Sequence, residues 1–587
     1  MRVFRELMWF FRQHRRRYVT GIVFLGLTSL MGLIPPAIVG MVVNRVVRHQ
    51  VTPQFLVWSL SAIFVVAVLS YGFRYLWRTR LYGGAILLGT ELRDRLFEHF
   101  TTLSPDFYHA HRIGDLMAHA TNDVQAIQET AGDGVFMMVD AVISGVVVIA
   151  TMAIAISWPL TIVALLPLPF LAVIMAYYGR LLHERFTTAQ AAFSDINDRV
   201  QEYISGIRVV RAFGQEAAER EAFVALSREV VEKNVAVARI DALFDPTIAV
   251  IAGLSYFLAV AVGAWFVVRG ALTLGSLTAF TLYLGQLIWP MMAFGFVFNI
   301  VERGSASYDR VKQLLDTEAT VQERPQAREI PPRGDLRYQI PHFYYPGQAT
   351  PALQRIHLAV REGWTLGIVG RTGAGKTTLF RLLLREFDLQ DGDISLGGES
   401  IYQYRLDALR SVIGYAPQDP FLFSLSIRDN IAFRDPDADD EAIVRVAKLA
   451  AIHDEILLLP EGYATMIGER GMTLSGGQKQ RISLARALLG DPPILALDDT
   501  LSSVDGQTEA EILQHLRRAR ENRTTLIASH RLSAVEHADE IIVLEGGGIV
   551  EQGTHRQLLA LGGRYRDMYE RQQLERLVEQ GGQAHGS

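Results

Sequence analysis

The chain has 587 residues, a formal net charge of −5 and a mean hydropathy of +0.18, with 50% hydrophobic residues. Such a length exceeds one hydrophobic core, and so small a charge makes no case for nucleic acid, which is not expected as a partner. The absence of cysteine excludes disulfide frameworks, thiolate metal sites and cysteine nucleophiles.

Charged residues serve as rulers along the first half. The N-terminus, Met1 to Tyr18, sets Phe4, Leu7, Trp9, Phe10 and Phe11 against several Arg residues and reads as an interfacial helix. Tyr18 to Asn44, Val51 to Phe73, Ala141 to Gly179, Pro246 to Val268 and Gly270 to Val301 then carry no charge. A spanning helix needs about 20 apolar residues to cross roughly 30 Å of hydrocarbon. The third run is long enough for two, with Trp158-Pro159 where a tight turn divides it. The pattern predicts six helices, near 18–44, 51–77, 134–157, 160–180, 246–268 and 273–301.

Arg12, Arg15, Arg16 and Arg17 precede the first span, so the N-terminus is expected in the cytoplasm. Segments 78–133 and 181–245 are then long cytoplasmic connections, and six spans return the chain to the same side. Each connection is interrupted once, at Arg112-Ile113-Gly114-Asp115 and at Ser205-Gly206-Ile207-Arg208, where a short cross-helix is expected. Asp140 and Glu302 fall near helix ends. Intramembrane acids mark substrate paths or cap the interface, and the pattern leaves both open. Trp289, Phe294, Phe296 and Phe298 offer apolar surface in the last span.

Polar residues from Ser305 to Pro332 predict a connector, giving a membrane domain over 1–304, a linker over 305–335 and an ATPase domain over 336–587. Leu366-Gly367-Ile368-Val369 reads as a strand that runs into Gly370-Arg371-Thr372-Gly373-Ala374-Gly375-Lys376-Thr377, followed by an apolar helix from Thr378. This is GxxxxGK[ST] in its strand–loop–helix setting. Its glycines let backbone N–H groups turn around phosphate at a helix N-terminus. Lys376 adds charge for the β- and γ-phosphates, and Thr377 a hydroxyl for Mg²⁺. A second apolar strand, Ile494-Leu495-Ala496-Leu497, ends in Asp498-Asp499, which makes Asp498 a second Mg²⁺ anchor.

Between these lies Leu474-Ser475-Gly476-Gly477-Gln478, which resembles the ABC signature. Other family elements follow in order. Tyr345 resembles the aromatic that stacks on adenine, Gln418 the Q-loop residue that also reaches the metal, and Gly468-Glu469-Arg470-Gly471 the exporter-specific loop. Ser502-Ser503-Val504-Asp505 resembles the D-loop and His530 the switch histidine. With the membrane half, the whole chain resembles a type IV ABC exporter half-transporter. Arg112 to Val124 (RIGDLMAHATNDV) and Val301 to Ser307 (VERGSAS) resemble the MdlA-like and BmrC-like subunits of bacterial heterodimeric multidrug exporters.

The resemblance implies ATP-driven export of lipophilic or amphipathic compounds across the bacterial cytoplasmic membrane, with ATP and Mg²⁺ as cofactors and both termini cytoplasmic. It also implies that the signature completes a partner subunit's ATP site. One departure stands out. The family places Glu after the Mg²⁺-binding Asp as catalytic base, whereas this chain has Asp499. A displacement of about 1 Å at a catalytic group costs on the order of 100-fold in rate. Thr500-Leu501 also replaces the usual Ala-Thr. A weakened base beside an intact signature predicts a heterodimer whose partner supplies the Glu. The alternatives are a slow homodimer and an ATP-gated or regulatory membrane subunit.

Overall fold

A computed structural model describes residues 2–468 and 474–584, except for the side chains of 109, 172, 294, 295 and 576–584. Glu469, Arg470 and Gly471 of the loop before the signature, and the Phe294 side chain, lie outside this description. The chain divides into two compact units, Met1–Thr101 with Ile113–Thr317, and Thr102–Arg112 with Glu318–Ser587.

The first unit is helical throughout. Among the described residues, five stretches are long and apolar enough to cross a membrane: Arg15–Val47, Pro53–Thr102, Ile113–Leu165, Glu216–Val268 and Leu274–Leu315. Within the third, Ser157 is extended (φ −165°) and caps a new helix, Trp158–Leu165, so the chain breaks where Trp158-Pro159 predicts. The span expected at 160–180 is not one helix. A turn at Leu166-Pro167 separates Trp158–Leu165 from Leu168–Ser205, because a proline ring denies the preceding turn its regular bonding.

One helix is longer than a bilayer is thick. Pro53–Thr102 has 50 residues, about 75 Å at 1.5 Å each, against roughly 30 Å of hydrocarbon. The long segments Leu168–Ser205 and Glu216–Asp241 pack side by side, joined by Arg199 Nη2 donating to Glu219 at 2.7 Å. Short helices occur at Pro105–Ala110 and Ile207–Ala212. The second follows Gly206 as expected. The first lies before the interruption rather than at Gly114, which sits inside the helix Ile113–Ala118. The last helix, Ile288–Leu315, continues past Ser305, where Val311 and Leu314 stay buried and Ser307 and Arg310 both bond Asp123.

Near the ends of two spans, backbones meet with no room for a side chain. A Cβ on Gly40 would lie 2.6 Å from Gly275 O, and one on Gly275 would strike Gly40 O and the Asn44 side chain. Asn44 Oδ1 accepts the Gly275 N–H at 2.8 Å. Gly275→Leu is therefore expected to destabilise the membrane unit by about 1–3 kcal/mol, as overpacking does. The readout is the midpoint of thermal unfolding in detergent, which should not fall for Gly253→Leu, where nothing lies within 4 Å of an added Cβ.

The second unit is α/β. A six-stranded sheet has the order β10-β9-β3-β8-β7-β6, where β3 is Thr365–Gly370, β6 Ile413–Ala416, β7 Ile494–Asp498, β8 Thr524–Ala528, β9 Glu540–Glu545 and β10 Gly548–Gly553. All pairs are parallel except β9 with β10. Every residue of β7 and β8 is buried, as strands covered on both faces must be. An antiparallel sheet, β2-β1-β4-β5, lies over one face, with β1 at Leu336–Phe343, β2 at Leu353–Val360, β4 at Asp393–Leu396 and β5 at Glu399–Ser400. On β1, Leu336, Tyr338, Ile340 and Phe343 point inward and share one core with Ile368, Leu379 and Phe380. The other face packs on the helices Asp440–Leu449, Gly476–Leu488 and Gly506–Ala519.

Candidate functional site

Strand order assembles the site. The parallel strands β3, β8, β7 and β6 are neighbours and end on one edge. Their carboxyl ends deliver, in turn, Gly370 to Lys376, Ser529-His530, Asp498-Asp499, and Gln418. The carboxyl edge of an open parallel sheet is where such folds bind ligands.

At the first position the chain leaves β3 through a loop that only glycine can follow. Gly373 and Gly375 have φ of 81° and 104°, and a Cβ on Gly375 would lie 2.7 Å from Leu353 Cδ2 and 2.9 Å from Ala352 O. Gly375 then starts the helix Lys376–Leu383, whose Leu379, Phe380, Leu382 and Leu383 anchor it in the core. Arg371, Thr372 and Ala374 fill the loop, with the Ala374 N–H donating to Arg371 O at 3.1 Å. Lys376 Nζ donates to the carbonyls of Gly370 (2.8 Å) and Arg371 (3.3 Å). Burial pushes its pKa down, while Asp499 and Asp498 act in the opposite direction.

Thr377 and Asp498 meet. The Thr377 hydroxyl donates to Asp498 Oδ1 at 3.1 Å, and the Tyr415 hydroxyl to Oδ2 at 3.4 Å. Burial pushes the Asp498 carboxyl up, and the hydroxyl bond from Thr377 opposes it. Among the described residues no group of three or more His, Asp or Glu could hold a metal. A hydroxyl beside one carboxylate is nevertheless a set of hard oxygens that suits Mg²⁺, which keeps phosphate and water for its remaining positions. Gln418, two residues beyond β6, is exposed.

The next residue differs in kind. Asp499 has φ 49°, a left-handed conformation that costs a non-glycine residue on the order of 1–3 kcal/mol. The turn is held because its N–H continues the β7–β8 ladder to Ala528 O at 2.8 Å. Its two carboxylate oxygens lie 2.8 and 2.9 Å from His530 Nδ1. Behind it, the buried Thr500 hydroxyl donates to Ala416 O at 2.9 Å, tying the turn to the end of β6.

Tyr345 is half-buried. Its hydroxyl is 3.0 Å from Thr378 Oγ1, and its ring meets Phe343 and Phe387 edge-on, each at 5.1 Å. The neighbouring Tyr344 ring is the more exposed. Tyr345→Ala is expected to raise the KM for ATP severalfold at unchanged kcat if Tyr345 carries the adenine, and Tyr344→Ala to leave both unchanged. Steady-state ATPase measurements separate the two.

The signature lies apart from the P-loop, and no hydrogen bond joins them among the described residues. Ser475 caps the helix Gly476–Leu488 in a reciprocal pair: Gln478 N–H donates to Ser475 Oγ (3.2 Å), and Ser475 N–H to Gln478 Oε1 (2.9 Å). Gly477 has no room for a Cβ, which would lie 2.9 Å from Ser503 O. Asp505 caps the next helix by accepting the Thr508 N–H at 3.0 Å, which lowers its pKa.

Family models match both units, one for the ABC transporter transmembrane region over residues 18–291 and one for the ABC transporter over 353–502. The Multidrug resistance-like ATP-binding protein MdlA of Escherichia coli is 46% identical over 99% of this chain and 98% of its own length. The chain is an ABC transporter. The probable multidrug resistance ABC transporter ATP-binding/permease protein YheI of Bacillus subtilis is 44% identical over 99% of both chains. The ATP-dependent lipid A-core flippase of Syntrophus aciditrophicus is 33% identical over 97% of this chain and 95% of its own. A solved bacterial Atm1-family ABC exporter with ATP bound superposes with a TM-score of 0.80 at 29% identity, covering 95% of this chain and 99% of that one. This is the type IV exporter fold. Members of this exporter family work as dimers in a membrane and couple ATP hydrolysis to transport, and this transporter carries their ATPase domain.

Three side chains of the transporter's site escape a reading by motif. Gln480 bridges signature and D-loop, donating to Ser502 Oγ (3.0 Å) and accepting the Ser503 N–H (2.9 Å). Arg531 holds the D-loop carbonyls of Ser502 and Val504, each at 3.0 Å, and pairs with the buried Glu509. Gln572, in the helix Arg564–Ala584, donates to His530 O (2.6 Å) and accepts the Leu532 N–H (3.0 Å). Their partners lie 22 to 42 positions away, and nothing local in the sequence joins them.

Proposed function

We propose that this chain is one subunit of a heterodimeric exporter of lipophilic or amphipathic compounds, whose own Walker site binds Mg²⁺–ATP and hydrolyses it poorly. One observation carries this reading. The base position holds Asp499, whose carboxylate is one methylene short and is occupied through both oxygens by His530 Nδ1. A base engaged in this way is drawn back from the water it must orient, and the distance lost is the one that costs most. The intact signature, by contrast, presents a capped helix N-terminus suited to a partner's phosphates.

In this reading Gly370 to Thr377 cradles the phosphates and Lys376 exchanges its loop carbonyls for phosphate oxygens. Thr377, Asp498 and Gln418 would hold Mg²⁺, which offsets the phosphate charge. The two relatives whose names carry multidrug resistance, and the lipid A-core flippase, support an amphipathic substrate.

The test is ATPase activity of the chain purified alone and together with a second half-transporter. Turnover is expected to rise at least tenfold in the mixed assembly. Full turnover by the chain alone makes it a competent homodimer. Orientation is checked separately. A cysteine placed between Val47 and Thr52 should react with an impermeant thiol reagent from outside, and one at Arg112 should not.

A further inference from the structure

The chain passes between its two compact units three times, at 101–102, 112–113 and 317–318. The helical stretch Ile113–Leu165 starts at the second passage, and the helix Ile288–Leu315 ends two residues short of the third. Inside the first unit one acid joins these two helices. Asp123 is 8% exposed. Its Oδ1 accepts the Ser307 hydroxyl at 2.9 Å and its Oδ2 the Arg310 Nε–H at 2.9 Å. Arg310 Nη2 donates to Oδ1 as well, and His119 Nδ1 lies 2.6 Å from Oδ2. The contact stays close over the following turns. The Thr130 hydroxyl donates to Ile300 O at 3.1 Å, Arg303 pairs with Glu129, and a Cβ on Gly304 would lie 3.3 Å from Ala126 O.

The same two passages are tied again inside the second unit. The Val321 N–H donates to the buried Ser104 Oγ at 3.1 Å, and the Thr320 hydroxyl to Asp106 Oδ1 at 3.1 Å. Ser104 and Asp106 lie in the segment that leads into Ile113, while Thr320 and Val321 follow Leu315. Each unit therefore fastens the two connections to each other with bonds of its own. Neither fastening uses the P-loop, Asp498-Asp499 or the signature. Connections bonded together carry a displacement as one body, whereas free ones bend separately.

We propose that Asp123 is a positioning residue for coupled transport: by holding Ser307 and Arg310 it makes the two connections move as one strut. Closure around ATP then reaches the membrane unit instead of being lost in bending. This goes beyond the reading of the chain as one subunit of a heterodimer and applies to either kind of dimer.

The test uses the full exporter in lipid nanodiscs. The chain has no cysteine, so spin labels go to Gln50→Cys and Ala271→Cys, with these the only thiols in the assembly. Both positions are exposed and flank the contact of Gly40 with Gly275. Their separation is measured by double electron–electron resonance without nucleotide and with Mg²⁺–ATP and vanadate, beside steady-state ATPase. The wild type is expected to shift on trapping. Asp123→Asn and Arg310→Gln should each cut the shifted fraction at least threefold while ATPase stays within about twofold. Arg310→Gln leaves Asp123 its bonds to Ser307 and His119, so it breaks the charge link between the helices with the acid still held. Arg310→Lys keeps the charge and should retain at least half of the wild-type shift, which a purely steric role of the arginine would not allow. An undiminished shift in both neutral variants, a parallel loss of ATPase and shift, or no shift in the wild type overturns the proposal.

Discussion

Lys376→Ala is expected to abolish nucleotide photolabelling of this chain while leaving the membrane unit folded. The ammonium is half-buried, its pKa is pushed down by burial, and it now rests on two backbone carbonyls. Against a nucleotide those neutral acceptors are exchanged for phosphate oxygens. Charge-assisted bonds contribute about 1.5–3 kcal/mol each, so losing two lowers affinity by on the order of 100-fold or more. The substitution leaves Gly373, Gly375 and the apolar face of Lys376–Leu383 intact, so the unfolding midpoint should move little. Undiminished photolabelling of the variant would sink the phosphate assignment of the whole loop.

The loop was legible from sequence because its chemistry is local: strand, glycines, lysine and helix follow one another within about a dozen residues. The same holds for Asp498-Asp499 at the end of β7 and for the capped signature helix. Sequence also placed the break at Trp158-Pro159, where proline chemistry is unambiguous. It failed where the determinant is non-local. Pro167 is an exception, a determinant as local as Pro159, which was missed because charge counting measured only the length of the apolar run and so gave one span near 160–180. The helix Ile288–Leu315 persists through polar residues because Val311 and Leu314 still find a buried partner. Gln480, Arg531 and Gln572 are ordinary helix and loop residues until the sheet brings their partners beside them. Asp499 shows the division most sharply. Its missing methylene is visible in the sequence, whereas its left-handed backbone and its engagement by His530 are not.

That engagement sets up the second large effect, an asymmetry between two sets of variants measured on the purified complex. On the proposed reading of Asp499 as a weak base, Asp499→Asn is expected to lower steady-state ATPase less than about threefold. Ser475→Arg is expected to lower it by on the order of 100-fold or more, the range found when a preorganised donor facing developing charge is lost. The reason is positional: in the proposed assembly Ser475 and its helix N-terminus would serve the partner's nucleotide, and Asp499 this chain's own. Loss of the Ser475 cap alone costs about 1 kcal/mol of local stability, too little to explain such a loss. Gly477→Asp should be as severe for two reasons. It sets a carboxylate where phosphate must approach, and its Cβ would lie 2.9 Å from Ser503 O in the D-loop. Gly477→Ala separates these, since it keeps the steric contact and adds no charge, and is expected to fall between wild type and Gly477→Asp. Equal loss from Asp499→Asn and Ser475→Arg would make Asp499 a working base in spite of its length. His530 would then be its orienting partner instead of its restraint, and two identical sites in a homodimer would account for the same geometry.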